Sequence, residues 1–243
     1  MRIGNISMGA SSLIACYLER DTIDEFVYIH VADQHPDTMR FLEDCEKLLG
    51  RKITVLQSTR YKDVDDACRQ HKYITGNGYT SCSDRLKRQV RKQWEYENDI
   101  DMVEYVWGFD RDEKSRCEKM DRAEPNHTHI FPLVEKDLNK AQVLGAVERF
   151  GIKLPWMYLN GYPNNNCIGC VRGGQGYWNK IREDFPDVFA ARAKLERDIG
   201  ASMLKETLED GTIRRIFLDE LDPERGRNKI IVPDCGLYCQ MVL

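Results

Sequence analysis

Long apolar runs are missing from this 243-residue sequence. None approaches the roughly 18–20 residues that a helix needs to cross a bilayer. The opening residues Met1-Arg2-Ile3-Gly4-Asn5 also lack the apolar stretch of a secretory signal. A cytoplasmic protein with no membrane partner is expected. An excess of basic charge is missing too: 36 Lys and Arg face 40 Asp and Glu, for a net charge of −4. The molecule as a whole is therefore not a basic nucleic-acid binder, although a local basic patch is compatible with these totals. Neither a Walker A loop nor a G-x-G-x-x-G fingerprint occurs, and no internal repeat or low-complexity linker divides the chain. What the chain does carry is nine cysteines. Disulfides are rare in the cytosol, so clustered cysteines there point to metal binding or redox work.

With 42% hydrophobic and 31% charged residues the chain has the makings of a packed globule. Residues 2–7 read as a short buried strand running into a Gly/Ser turn, and residues 10–19 as a helix. Glu25–Val31 is β-branched and aromatic and reads as a strand. Pro36 to Leu49 has near-helical apolar spacing, Ile53–Leu56 is a third strand, and Val64–Gln70 a short helix. This alternation predicts an α/β fold, a parallel sheet sandwiched by helices, of Rossmann-like type. Leu86–Tyr96 continues as a basic helix and Val103–Trp107 as a further strand. Beyond about Lys136 the chain reads as mainly helical, with segments at 138–149, 177–183, 186–198 and 201–208. Residues 1–135 are thus expected to form a nucleotide-binding core. Residues 136–243 would form a helical part carrying a cysteine site, packed on that core as one continuous domain.

Ser7-Met8-Gly9-Ala10-Ser11-Ser12 lies between the first strand and the first helix. Small residues there let a ligand approach the backbone, and the hydroxyls and free N–H groups of a helix start suit phosphate or sulfate. A plain tight turn with a serine cap would use the same residues.

The turn resembles the phosphate-binding loop of the phosphoadenosine phosphosulfate (PAPS) reductases and their PP-loop relatives, the adenine nucleotide alpha-hydrolase-like superfamily. Ser7-Met8-Gly9 is nearer the reductase form, and Ser11 stands where the ATP-using relatives carry Asp. The resemblance continues in order along the chain. Asp33-Gln34-His35-Pro36-Asp37-Thr38 is similar to the segment after the family's second strand, and Gly108-Phe109-Asp110-Arg111 with Arg116 to its Gly-x-Arg-Arg stretch. Gly161-Tyr162 leading to Cys167-Ile168-Gly169-Cys170 resembles the family's Gly-Tyr…Gly-Cys-x-x-Cys, and Asp234-Cys235-Gly236-Leu237-Tyr238 its Glu-Cys-Gly-Leu-His tail. The resemblance implies nucleotide or phosphate binding by Ser7, Gly9, Ser11, Ser12, Asp33, Arg85, Lys87, Gly108, Arg111 and Arg116.

Cys167 and Cys170 form C-x-x-C, a spacing that lets two thiolates clasp one metal or cluster. Cys235 and Cys239 form a second pair, and Cys82 lies in Ser81-Cys82-Ser83-Asp84-Arg85-Leu86-Lys87, similar to the Cys-Cys-x-x-Arg-Lys element of cluster-bearing members. Two ligand sets are open: Cys82, Cys167 and Cys170 with one tail cysteine, or Cys167, Cys170, Cys235 and Cys239. Either would hold a 4Fe-4S cluster or, alternatively, zinc; unliganded thiols are the third option. Cys16, Cys45, Cys68 and Cys117 sit in helical contexts and read as bystanders. In a reductase the residue matching Cys235 is the nucleophile, a role that conflicts with ligating metal.

Arg85, Arg88 and Lys92 would share a face at helical spacing and capture an anion, or simply line a solvated surface. Trp156, Tyr158, Tyr162, Tyr177 and Trp178 gather around the C-x-x-C loop, where packing is the favoured role. Three accounts of function result. The first is a reductase that binds PAPS or APS (adenosine 5′-phosphosulfate) and draws electrons from a thioredoxin-like partner. The second is an ATP-dependent sulfurtransferase acting on a nucleotide or nucleic acid with a sulfur donor. The third is a non-catalytic nucleotide- or nucleic-acid-binding module. A homodimer is compatible with all three.

Overall fold

Alternating strands and helices fill the first half of the computed structural model, which describes residues 1–76, 78–227 and 230–234. Strand β1 (Arg2–Asn5) leads to helix α1 (Ala10–Leu18), β2 (Glu25–His30) to α2 (Asp37–Leu49), and β3 (Ile53–Gln57) to α3 (Val64–His71). A two-stranded ribbon of β4 (Thr75–Gly76) and β5 (Tyr79–Thr80) precedes a continuous helical stretch. That stretch comprises α4 (Ser81–Ser83), a π-helical turn over Asp84–Arg88, and α5 (Gln89–Glu97). Strand β6 (Glu104–Val106), helix α6 (Lys114–Ala123), strand β7 (Thr128–Ile130) and the short α7 (Pro132–Glu135) follow. Then come α8 (Lys140–Arg149), α9 (Trp156–Leu159), α10 (Gln175–Asp184), α11 (Pro186–Ile199) and a hairpin of β8 (Leu204–Thr207) and β9 (Ile213–Ile216). No described helix is long and apolar enough to cross a membrane.

Five strands pair in the order β3-β2-β1-β6-β7, all parallel. This is the expected Rossmann-like α/β sheet. Strand side chains alternate between faces. Ile3, Val27, Val103 and Tyr105 point to one side, where Trp94 of α5 packs. Phe26, Tyr28 and Val106 point to the other, against the buried residues of α1, α2 and α8. A second core gathers around the fully buried Trp178, from α10, α11 and the β8–β9 hairpin. The two cores interleave along the chain. Val143, Leu144 and Val147 of α8 complete the first, whereas Val64, Ala67 and Cys68 of α3 belong to the second.

The helix expected over 201–208 is instead the strand β8. Leu204 and Glu206 are buried while Lys205 and Thr207 are exposed, which is a period of two. Asp210, accepting from the Thr212 N–H, tightens the turn into β9. The basic helix also differs from its expected geometry. The π turn over Asp84–Arg88 shifts the helical phase, so Arg88 is exposed and pairs with Asp84 while Arg85 is half-buried. Arg91 is buried, held by Glu95 and Glu124 beneath the rings of Tyr105 and Trp107.

Candidate functional site

The chain runs outward from β1 to β3 on one side of the sheet, then returns to build β6 and β7 on the other. The order therefore reverses between β1 and β6. In open α/β sheets the crevice beyond the carboxyl ends of the strands at such a switch point is where ligands bind. Residues 6–9 follow β1 there, and residues 107–110 follow β6. The two turns touch closely. A side chain on Gly108 would place its Cβ 2.4 Å from the Ser12 Cα and backbone N, so only glycine fits.

Within the first turn Met8 is fully buried with φ of 60°, a left-handed conformation that a non-glycine residue adopts at a cost of about 1–2 kcal/mol. Such strain persists where the surroundings over-determine it. Here the side chain fills the core, and the Met8 carbonyl accepts from Asn165 Nδ2 at 2.7 Å. Ser12 staples the turn. Its Oγ accepts from the Ser7 N–H at 3.0 Å and the Ser7 hydroxyl at 3.2 Å, and donates to the Gly9 carbonyl at 2.9 Å. Ser11 is used differently: its Oγ accepts from Lys140 Nζ at 3.0 Å. Lys140 also donates to the Tyr158 hydroxyl at 3.3 Å, and that oxygen accepts from the Ala10 N–H at 3.3 Å. The α1 N-terminus has no side-chain cap of its own. The cluster of Ser7, Gly9, Ser11, Lys140 and Tyr158 thus presents an ammonium and helix-start donors at the switch point, a setting for an anion.

The other expected anion contacts are placed variously. Arg111 lies just past Gly108, its N–H bonded to the Leu138 carbonyl at 3.0 Å and its guanidinium paired with Asp137 at 3.3 Å. Arg116 is exposed, pairs with Glu113 and lies 4.4 Å over the Phe109 ring. Asp110 is buried and caps the following turn; burial, then Glu113, pushes its carboxyl above the usual range. Asp33 is held by a buried ion pair with Arg192 and by the Val64 N–H at 2.9 Å. Lys87 lies close enough to Cys167 to favour its thiolate, although burial outweighs it.

The C-x-x-C loop meets the same end of the sheet. Cys167 pairs with Gln34 in an antiparallel bridge beyond β2, and the Ile168 N–H bonds the Asp33 carbonyl at 2.8 Å. The loop is clamped by Tyr177, whose hydroxyl accepts from the Cys170 N–H at 2.9 Å and donates to the Cys167 carbonyl at 3.0 Å. Gly169 sits at φ of 70° with its carbonyl on Arg192 Nε. Cys82 approaches from the other side; Cys170 is near enough to raise the Cys82 pKa, and Cys170 and Cys82 that of Cys167. Burial is the larger cause and lifts the Cys167 thiol to about 12. Cys68, expected as a bystander, adjoins Cys82, and burial lifts it to about 12 as well. Cys16, Cys45 and Cys117 are buried within helices.

Among the described residues no three His, Cys, Asp or Glu side chains form a group that could hold a metal ion. Cys82, Cys167 and Cys170 on their own therefore do not fit a cluster or zinc site. Burial of Cys82 and Cys167 also favours their protonated thiols over the thiolates that bind metal. Cys235 and Cys239, one of which completes the first proposed ligand set and both of which the second requires, lie outside the described residues.

Sequence reasoning missed Lys140, Asn165 and Arg192. The start of α8 was legible, since Asn139 and Gln142 form a capping box. The approach of Lys140 to Ser11, 129 residues away, left no local trace. The aromatic residues pack as favoured: Trp178 and Tyr162 are buried, and Trp156 stacks on His35 at 4.6 Å.

No protein-family model and no curated protein matches the sequence. Among solved structures the chain is similar to the crystal structure of phosphoadenylyl-sulfate (PAPS) reductase from Candida auris in a phosphate complex. The identity is 12% and the TM-score 0.46, and the match covers 66% of this chain and 78% of that one. It is a likeness of fold alone.

Proposed function

We propose that the protein is a PAPS reductase-like enzyme that binds an adenine nucleotide at the β1–β6 switch point and carries out sulfur chemistry on it. The observation that carries the reading is the strained, serine-lined turn pressed against Gly108, with Lys140 3.0 Å from Ser11 Oγ. An ammonium and a helix N-terminus together favour a phosphate or sulfate group. The tail supports a role for Cys235. The Asp234 N–H, one residue before it, donates at 2.9 Å to the carbonyl of Ala141, the neighbour of Lys140.

In this reading the Cys235 thiolate attacks the sulfur of the activated sulfate. An S–S bond forms as the S–O bond to the nucleotide breaks, and the nucleotide departs with the electron pair. A dithiol partner of the thioredoxin type then attacks the Cys235 sulfur. Sulfite leaves, the partner becomes a disulfide, and the cysteine is restored. The test is sulfite release from PAPS or APS in the presence of thioredoxin. Activity that Cys235→Ser abolishes supports the reading, and activity that this variant retains refutes it.

The gathering of Cys82, Cys167 and Cys170 beside Lys87 favours a second reading, an ATP-dependent sulfurtransferase in which these thiols relay sulfur to a nucleotide or nucleic acid. Pyrophosphate release from ATP that depends on a polynucleotide would select it. Binding without turnover in either assay would leave a nucleotide-binding module.

A further inference from the structure

We infer that Tyr158 and Lys140 form a latch on the phosphate turn, in which the Tyr158 hydroxyl stands where an oxygen of the ligand's anionic group would sit. The inference rests on the reading of residues 7–12 as the anion cradle.

The first N–H groups of a helix lack intrahelical acceptors. At α1 that of Ala10 finds its acceptor on α9, 148 residues away. The same phenolic oxygen accepts from Lys140 Nζ. An oxygen that receives a helix-start amide and an ammonium occupies the place of an oxyanion. Yet it is neutral, and both separations are 3.3 Å, beyond the optimum of about 2.9–3.0 Å for N–H···O bonds. An anionic oxygen would make shorter, charge-assisted bonds that are roughly twice as strong. Exchange of the hydroxyl for the ligand is therefore favourable. Lys140 keeps its 3.0 Å bond to Ser11 Oγ, which holds the ammonium at the turn when Tyr158 withdraws.

The latch also selects its ligand. A neutral nucleoside offers no charged oxygen and cannot displace the hydroxyl profitably, whereas a phosphorylated nucleotide can. Helix α9 is well placed to report the exchange. Its first residue, Trp156, donates its N–H to Asp37 at 2.8 Å and stacks on the His35 ring, two residues from Tyr158. Withdrawal of Tyr158 should change the fluorescence of that indole.

The experiment is calorimetric titration of the full chain with adenosine 3′,5′-bisphosphate and with adenosine, followed in parallel by tryptophan fluorescence. Tyr158→Phe keeps the ring and removes the oxygen. It should bind the bisphosphate several-fold more tightly than the parent, and its ligand-free fluorescence should already resemble the bound state. Lys140→Met should bind it at least tenfold more weakly, and Lys140→Arg should recover part of the loss. Adenosine affinity should be the same in all four proteins. Weaker or unchanged binding by Tyr158→Phe overturns the latch. If Ser11→Ala and Gly108→Ala also leave bisphosphate affinity at the parent value, the cradle reading fails with it. If those two variants lose affinity while Tyr158→Phe is neutral, the latch alone is wrong. Absence of binding by both the parent and Tyr158→Phe refutes both.

Discussion

Adding a single methyl group at Gly108 tests the architecture of the site directly. In Gly108→Ala the new carbon would stand 2.4 Å from the Ser12 Cα and N and 2.6 Å from the Ser11 carbonyl carbon. Carbon atoms settle at about 3.5–4.0 Å, so one of the two turns must retreat by about 1 Å. All three obstructing atoms are backbone, so no side chain can rotate away. Overpacking of this kind costs about 1–3 kcal/mol, and the backbone contact puts the expectation in the upper half. For a chain of this length that corresponds to a fall of roughly 4–12 °C in Tm. The effect on ligand should be larger than the effect on stability, because displacing a positioned group by about 1 Å can cost about 100-fold. Urea unfolding and calorimetric titration with adenosine 3′,5′-bisphosphate measure the two quantities. Gly9→Ala is the control. Its methyl would meet nothing closer than the Tyr158 hydroxyl at 3.3 Å, so its stability should change by less than about 1 kcal/mol. If Gly108→Ala melts and binds like the parent, the two turns are not in contact and the switch-point site is misplaced.

Three further outcomes are expected. Arg192→Leu strands the Asp33 and Asp65 carboxylates and releases the Gly169 carbonyl. Loss of a buried pair costs about 3–5 kcal/mol, here toward the lower figure because Asp65 is a quarter exposed. Adding Asp33→Asn should return part of that loss in urea melts, and an additive double variant would contradict the coupling. Cys167, lifted to about 12 by burial, should alkylate slowly near neutral pH and faster as the pH rises. Lys87→Met should slow it further, read by mass spectrometry of iodoacetamide adducts; an unchanged rate would separate Lys87 from the thiol. Asp37 is held below the usual carboxylate range, first by its hydrogen bond from Arg40. A depressed folded-state pKa stabilises fully above the unfolded value and is lost as the pH falls through the folded one. The difference in unfolding free energy from urea melts between the parent and Asp37→Asn, on the order of 1 kcal/mol at pH 7, should therefore shrink as the pH drops below about 4. A constant gap would mean the ion pair does not titrate with folding.

The sheet was legible because its strands are short apolar bursts separated by amphipathic helices, and local pattern specifies both. Strand β7 escaped notice, since Thr128-His129-Ile130 is only three residues long and carries a histidine. The misread 201–208 segment lies where a period of two and a period of 3.6 both fit a few alternating residues, and only the Ile213–Ile216 partner decides between them. The phosphate turn was recognisable from small residues in a fixed order, whereas Lys140, Asn165 and Arg192 reach it or the thiol loop from remote helices and loops. Charged residues on helices usually face solvent, so the buried Arg192 and Arg91 carry no mark in the sequence that separates them from their exposed neighbours.

The interleaving of the two cores has a consequence for any attempt to divide the molecule. A fragment ending near residue 135 would lack α8, leaving the apolar face of α1 that packs on it uncovered. The complementary fragment would lack α3 and Leu86, uncovering the side of the Trp178 cluster they pack against. Each piece should be insoluble alone. Co-expressed, the two should recover a soluble complex only by docking α8 and α3 across the cut, so that assembly of the halves and folding of the whole become one event.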